Sequence, residues 1–189
     1  MDKIILSEEQ IQEICKRIAG EITEALKDDK KIPVFVGVLK GSLNFMMDLM
    51  KYIKFPIYND YIQISSYEGT TSSGKIRLVK DLSFDCEGRS IVIIEDVIDT
   101  GLSMHYLIEH MKVHNPKRIY VCALFDKSYA RAIDVKTDFI GVKLDHNVFL
   151  MGYGLDYNEL ERNVPYVYGA DKEDVERLQK RLDEDKEVV

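Results

Sequence analysis

Apolar positions along the chain follow two patterns, helical faces and short runs typical of buried strands. Ser7 with Gln10 three residues later has the form of a capping box, and a helical face follows at Ile11, Ile14, Cys15, Ile18, Ile22 and Leu26. Further helices are predicted over 43–53, around 104–111 and after Asp171. Strands are predicted over 32–38, 57–66, 76–79, 91–94, 119–125, 139–144, 148–151 and 164–168. This alternation predicts an α/β fold with a mainly parallel sheet flanked by helices.

The stretch from 91 to 103 carries the densest chemistry. The branched apolar run 91–94 indicates a strand covered on both faces. Glu95, Asp96 and Asp99 follow at its carboxyl end, and the turn 100–103 leads into the next helix. Because ligands of open α/β sheets bind beyond the carboxyl ends of the strands, we expect a binding site here.

The two halves of this stretch suit opposite ends of one ligand. Backbone N–H groups of a glycine-containing turn at a helix N-terminus, with the Thr100 and Ser103 hydroxyls, form an anion site for a phosphate. The neighbouring carboxylates can accept hydrogen bonds from sugar hydroxyls and hold a hard cation such as Mg²⁺. The pattern therefore describes a phosphorylated sugar. The alternative, ordinary solvation of a strand end, does not account for so many functional groups within so few positions.

Composition limits the class of protein. At 189 residues, with 46% hydrophobic and 31% charged residues, the chain fits a single soluble domain. Its three widely spaced cysteines and the lack of a signal peptide or transmembrane run predict a cytoplasmic protein with no membrane partner. The net charge of −7 argues against a nucleic-acid partner, although a local cleft can still attract an anionic substrate.

The segment Ile93-Ile94-Glu95-Asp96-Val97-Ile98-Asp99-Thr100-Gly101 resembles the phosphoribosyl-pyrophosphate (PRPP) motif of type I phosphoribosyltransferases. From the turn at 39–41 to Arg162, the chain is similar to bacterial hypoxanthine-guanine phosphoribosyltransferases. The resemblance implies one domain over 1–189, with a small hood subdomain from the N- and C-terminal segments and a mobile loop at about 66–76. It also implies Mg²⁺-dependent purine salvage, in which PRPP and hypoxanthine or guanine give IMP or GMP and pyrophosphate. Homodimers or homotetramers are the implied assembly.

The resemblance also assigns roles to individual residues. The implied contacts to PRPP and its ribose phosphate are Glu95, Asp96, Asp99, Thr100, Gly101, Leu102 and Ser103. The implied pyrophosphate contacts are Lys40, Gly41 and Arg162, with a cis peptide between Leu39 and Lys40. The implied contacts to the base are Lys127, Phe149, Leu150 and Asp156. The implied Mg²⁺ ligands are Glu95, Asp96 and Asp156, the loop closes with Ser66 and Tyr67, and Asp99 handles the proton at N7 as the catalytic base.

Other interpretations of the same residues stay open at this point. By position alone, Lys127 suits a solvated lysine at a strand end and Phe149 suits a core residue. A PRPP-binding regulatory protein of the same fold is the main functional alternative, although an RNA-binding member should show a basic face. A dinucleotide-binding oxidoreductase is excluded because the turn at 37–41 lacks the Gly-x-Gly-x-x-Gly spacing.

His110 and His114 stand four residues apart on a predicted helix, a spacing that occurs in metal sites. No Glu follows His110, and the sequence does not place another histidine as a third ligand. We therefore do not predict a zinc site from this pattern.

Overall fold

The computed structural model describes residues 3–66 and 76–187. Its strands are β1 Lys3–Leu6, β2 Val34–Leu39, β3 Tyr58–Ser66, β4 Ile76–Lys80, β5 Ser90–Ile98, β6 Arg118–Asp126, β7 Phe139–Lys143, β8 Phe149–Met151 and β9 Val167–Ala170. Its helices are α1 Glu8–Leu26, α2 Leu43–Met50, α3 Leu102–Lys112 and α4 Lys172–Glu187, with a short 3₁₀ turn at Ser128–Ala130. None of these helices combines the length and apolar content that a membrane crossing requires.

The main sheet has six strands in the order β4-β3-β2-β5-β6-β7. All neighbouring pairs are parallel except β3 and β4. Along β5, Val92 and Ile94 pack into the core that contains α1 and α2, whereas Ile91 and Ile93 pack into the core that contains α3. The sheet is thus covered on both faces, which confirms the predicted α/β class and explains the uniformly apolar run.

A second sheet has three antiparallel strands in the order β1-β9-β8. It joins the two ends of the chain, since Lys3 pairs with Gly169 and Phe149 with Ala170. Strand β1 was not predicted because its partner is more than 160 positions away and its short apolar run resembles any chain terminus. The strand predicted at 164–168 begins and ends later in the structure, where β9 covers Val167–Ala170.

The predicted start of α1 is confirmed, because the Ser7 side chain and the Gln10 side chain form a reciprocal capping box. The predicted end of the central strand was wrong. Strand β5 stays paired with β6 through Ile98, so Glu95 and Asp96 lie within the strand and only Asp99 lies beyond it. Backbone pairing needs no apolar side chain, and hydropathy therefore underestimated the strand length.

Candidate active site

The site lies at the carboxyl edge of the main sheet. Strands β2, β5 and β6 run parallel, so the turns that follow them meet at one edge. These turns carry Lys40 and Gly41 after β2, Asp99 to Ser103 after β5 and Lys127 after β6. The segment after β8 adds Asp156 and Arg162 to the same region, because Glu159 pairs with both Lys40 and Arg162, and Arg162 pairs with Asp156.

The turn after β5 forms a small cradle at the start of α3. Gly101 has a φ of 83°, and a β-carbon there would collide with the carbonyl oxygen of Ile133. A cavity of about 100 Å³ is lined by Glu95, Val97, Ile98, Asp99, Thr100, Gly101, Ser103 and Met104. The side chain of Leu102 does not line it and is 43% exposed. The predicted anion site is therefore built from the helix N-terminus and hydroxyls, without a lysine.

Glu95 and Asp96 form a partly buried carboxylate pair. Glu95 is 9% exposed, and its side chain accepts a hydrogen bond from the Asp96 N–H at 3.0 Å. Burial, together with the negative charge of Asp96, raises the pKa of Glu95 well above its usual value. A β-carbon on Gly41 would overlap the Asp96 carboxylate, so the glycine lets the β2 turn approach the pair closely. Oxygen donors of this kind fit a hard cation such as Mg²⁺ or the hydroxyls of a sugar.

Lys127 and Phe149, two of the residues predicted to contact a base, lie on either side of the Val148 carbonyl. Lys127 is 8% exposed, its Nζ donates to the Val148 carbonyl at 3.0 Å, and it lies 3.8 Å from Asp99 Oδ2. The interpretation of Lys127 as a solvated lysine was therefore wrong. Phe149 is 46% exposed and meets Tyr157 edge-on at 6.4 Å between ring centroids, so it is not a core residue. Its neighbour Leu150 is buried at 6% exposure.

Lys40 and Arg162, the two cations predicted for pyrophosphate, lie together. Lys40 Nζ is 2.9 Å from Glu159 Oε2, and Arg162 reaches Glu159 at 3.3 Å and Asp156 Oδ1 at 2.7 Å. The peptide bond between Leu39 and Lys40 is cis, as predicted. Glu159 was missed in the sequence because an exposed acidic residue in a turn is unremarkable without knowledge of its partners.

The three carboxylates named as Mg²⁺ ligands are not brought together as one group. Within residues 3–66 and 76–187, Glu95, Asp96 and Asp156 do not form a cluster whose ligand atoms all lie within 4.8 Å of one another. Asp156 instead pairs with Arg162 and accepts a hydrogen bond from the Glu159 N–H at 2.8 Å. As they stand, these three side chains could not all ligate one ion.

A model of the phosphoribosyl transferase domain matches residues 3–158. The hypoxanthine-guanine phosphoribosyltransferase of Bacillus subtilis is 43% identical over 168 residues, which make up 88% of this chain and 92% of that protein. The chain belongs to the hypoxanthine-guanine phosphoribosyltransferase family. The solved hypoxanthine phosphoribosyltransferase of Staphylococcus aureus matches with a TM-score of 0.84 and 37% identity, covering 90% of this chain and 92% of that one. The hypoxanthine-guanine phosphoribosyltransferase of Bacillus anthracis matches with a TM-score of 0.84 and 35% identity, covering 90% and 99%.

Arg131, a residue missed in the sequence, supports the turn that contains Asp99. Arg131 Nη1 donates to the Ile98 carbonyl at 2.7 Å and to the Asp99 carbonyl, while Nη2 pairs with the buried Asp126 at 2.9 Å. The backbone N–H groups of Ala132 and Ile133 donate to the Thr100 carbonyl at 2.9 and 3.1 Å. The segment after β6 thus supports the turn at 99–103 through its carbonyl groups; we name this the phosphate turn because a phosphate site was predicted there.

The loop predicted from the family resemblance falls largely outside the described residues. Tyr67 and the rest of 67–75 lie outside the described residues, and Ser66 is the last residue of β3.

Proposed function

We propose that this chain transfers the 5-phosphoribosyl group of PRPP to N9 of hypoxanthine or guanine, giving IMP or GMP and pyrophosphate. The observation that carries the proposal is the buried Lys127 beside Asp99, next to the phosphate turn. A lysine ammonium in a pocket with an exposed aromatic ring suits the 6-oxo group of a purine and its flat face. The adjoining cradle suits the 5′-phosphate.

In this proposal each end of the base has its own contact. Lys127 donates to the 6-oxo oxygen, Phe149 stacks on the ring and the backbone at Leu150 faces the exocyclic edge. Asp99 accepts the proton that leaves N7 as the bond from N9 to C1′ forms. Its position 3.8 Å from Lys127 supports the role, because a purine held by Lys127 lies within reach of Asp99.

PRPP spans the remainder of the site. The turn from Asp99 to Ser103 binds the 5′-phosphate, while Glu95 and Asp96 hold the ribose hydroxyls. Lys40, the backbone at Gly41 and Arg162 bind pyrophosphate and stabilise the charge that develops as its bond to C1′ breaks. Lys40 and Arg162 both pair with the Glu159 carboxylate, so pyrophosphate would compete with Glu159 for these two cations.

Magnesium is part of the proposal. Glu95, Asp96 and Asp156 are the groups that would hold it, and when bound it supplies positive charge for the departing pyrophosphate. The buried carboxylate pair supports this assignment, because Glu95 and Asp96 repel one another when no cation or hydroxyl donor compensates them.

The test is the purified chain with PRPP and Mg²⁺, offered hypoxanthine, guanine, xanthine, adenine and uracil separately, with pyrophosphate release measured. Turnover confined to 6-oxopurines supports the proposal. PRPP binding without turnover of any base would favour the regulatory alternative.

Asp99→Asn tests the proposed base separately. The variant keeps the shape of the side chain and removes its basicity, so kcat should fall about 10²- to 10⁴-fold while PRPP binding persists. Asp145→Asn, at an exposed position in the loop before β8, is the matched control and should retain full activity. An unchanged rate in Asp99→Asn would end its assignment as the base.

We further propose that both sheets act as one domain, with the three-stranded sheet as the hood, and that copies associate as a homodimer or homotetramer. Leu43 and Met47, at 41% and 49% exposure on α2, support the association because they leave an apolar stripe uncovered. Light scattering after gel filtration measures the assembly. A cytoplasmic location is proposed because Cys15, Cys86 and Cys122 are all free and buried.

A further inference from the structure

A second group of metal-ligating side chains lies outside the proposed active site. Asp81 directly follows β4, His110 lies in the last turn of α3 and His114 follows the end of that helix. Ligand atoms of all three lie within 4.8 Å of one another, and no other such trio of His, Cys, Asp or Glu occurs among the described residues. Asp81 Oδ1 is 2.8 Å from His110 Nε2, and the two imidazole rings meet edge-on at 5.5 Å between centroids.

One atom in this group is unexplained by the protein alone. Nε2 of His114 is buried, and it has no hydrogen-bond partner among the described residues. Buried polar atoms in folded proteins nearly always have a partner. The unpaired nitrogen of His114, in a residue grouped with Asp81 and His110, therefore indicates that a bound partner is missing. A simple hydrogen-bonded pair of Asp81 with His110 explains neither the position nor the burial of this nitrogen.

We propose that Asp81, His110 and His114 bind a divalent transition-metal ion of the zinc class. Two imidazoles and one carboxylate are a known ligand set for Zn²⁺, with a fourth position left for water. Imidazole also discriminates against Mg²⁺, which prefers oxygen ligands, so this site and the active-site carboxylates select different ions. The sequence pattern was not interpreted as a zinc site because no Glu follows His110 and no histidine was placed as a third ligand, but the fold supplies Asp81 from the end of β4.

A metal ion at this position would connect two separate parts of the fold. Asp81 ends the outer hairpin of the main sheet, formed by β3 and β4, whereas His110 and His114 belong to the far end of the helix that begins at the phosphate turn. A bound metal would link the edge strand to α3. We therefore expect it to raise thermal stability, independently of whether the proposed transferase activity is correct.

Cobalt is the direct probe, because Co²⁺ replaces Zn²⁺ and gives visible absorption bands that report its ligands. The full chain, stripped with a chelator, is titrated with Co²⁺ in excess Mg²⁺, which occupies sites made of oxygen ligands. We expect one Co²⁺ per chain with bands of nitrogen and oxygen ligation, and Zn²⁺ should displace it and raise the melting temperature.

Two variants and one control locate the site. His110→Asn and His114→Asn should each weaken Co²⁺ binding at least tenfold and abolish stabilisation by Zn²⁺. His146→Asn alters another His–Asp pair, in which His146 Nδ1 lies 2.6 Å from Asp145, and it should bind Co²⁺ as the unaltered chain does. Circular dichroism verifies that all three fold.

Three results would overturn the proposal. These are the absence of Co²⁺ binding in the unaltered chain, equal binding by His114→Asn, and a thiolate charge-transfer band, which would assign the ion to a cysteine.

Discussion

Replacing Arg131 by Met tests whether the segment behind the phosphate turn positions it. Arg131 and Asp126 are almost completely buried, at 12% and 6% side-chain exposure, and their charged atoms lie 2.9 Å apart. The same guanidinium donates to the carbonyls of Ile98 and Asp99. Methionine has a similar length and no donor, so Arg131→Met removes all of these interactions while filling much of the space.

The expected loss of stability follows from the burial of the pair. Removing one member of a buried ion pair costs about 3–5 kcal/mol, mainly because the remaining charge is left uncompensated. A domain of this kind has roughly 5–15 kcal/mol of stability, so Arg131→Met should remain folded near room temperature. Adding Asp126→Asn removes the orphaned charge, and the double variant should therefore be more stable than Arg131→Met.

Urea unfolding gives the stability of each variant, and steady-state kinetics separates a positioning role from a purely structural one. The double variant regains stability, but the carbonyls of Ile98 and Asp99 still lack the guanidinium, and Ile98 keeps only the Lys127 N–H as a donor. Each hydrogen bond to a charged group contributes about 1.5–3 kcal/mol, so the KM for PRPP should stay raised by roughly tenfold or more. The KM for hypoxanthine should change less, because Lys127 is anchored by Val148.

Two outcomes would refute this reasoning. A loss below about 1 kcal/mol in Arg131→Met would mean that the pair behaves as an exposed salt bridge. A double variant with an unchanged KM for PRPP would mean that Arg131 stabilises the fold without positioning the turn.

Four further variants test separate parts of the structure. Lys127→Met should lower kcat/KM for hypoxanthine about 10- to 100-fold, from the loss of a charged hydrogen bond, while PRPP affinity measured by calorimetry stays within about twofold. Gly101→Ala should destabilise the fold by at least about 1–2 kcal/mol, since φ is 83° there, whereas Gly20→Ala should stabilise it by about 0.5–1 kcal/mol, because Gly20 lies within α1 with nothing within 4 Å of a β-carbon. This contrast would be contradicted if urea unfolding showed both glycine variants to be more stable, or both to be less stable, than the unaltered chain. Burial raises the pKa of Asp60, but hydrogen bonds from backbone N–H groups and Lys80 outweigh it and keep the pKa below its usual value. The stabilisation by Asp60 is therefore fully present above the pKa that Asp60 has in the unfolded chain, and it is lost as pH falls through the lower pKa in the folded chain. The difference in unfolding free energy between the unaltered chain and Asp60→Asn should thus shrink below about pH 4.

Local patterns were sufficient to predict the centre of the fold. The apolar run of β5 and the glycine turn that follows it are contiguous in sequence, so strand, turn and helix could be read together. The capping box of α1 was predictable for the same reason. The predicted ends of helices and strands were less accurate, because backbone hydrogen bonds between strands extend past the run of apolar residues.

Features that depend on distant pairing were not predictable. Arg131 stands in an irregular segment, and nothing in its neighbourhood shows that it reaches back to Ile98 and Asp99. Asp81 precedes His110 by 29 positions, and only the packing of β4 beside α3 brings the two together. Such partners are set by the fold as a whole, and a single sequence gives no local periodicity from which to infer them.

Two buried charged residues lie at the proposed active site, Glu95 within β5 and Lys127 directly after β6. Apolar side chains at the positions of Glu95 and Lys127, at 9% and 8% exposure, would avoid the cost of burying charge. Burial and the neighbouring Asp96 both raise the pKa of Glu95, so the two carboxyl groups disfavour each other's charge. A partly buried carboxylate pair and a buried lysine at one sheet edge are best explained by a ligand that supplies further partners, namely hydroxyls and a cation for the carboxylates and a carbonyl oxygen for the lysine.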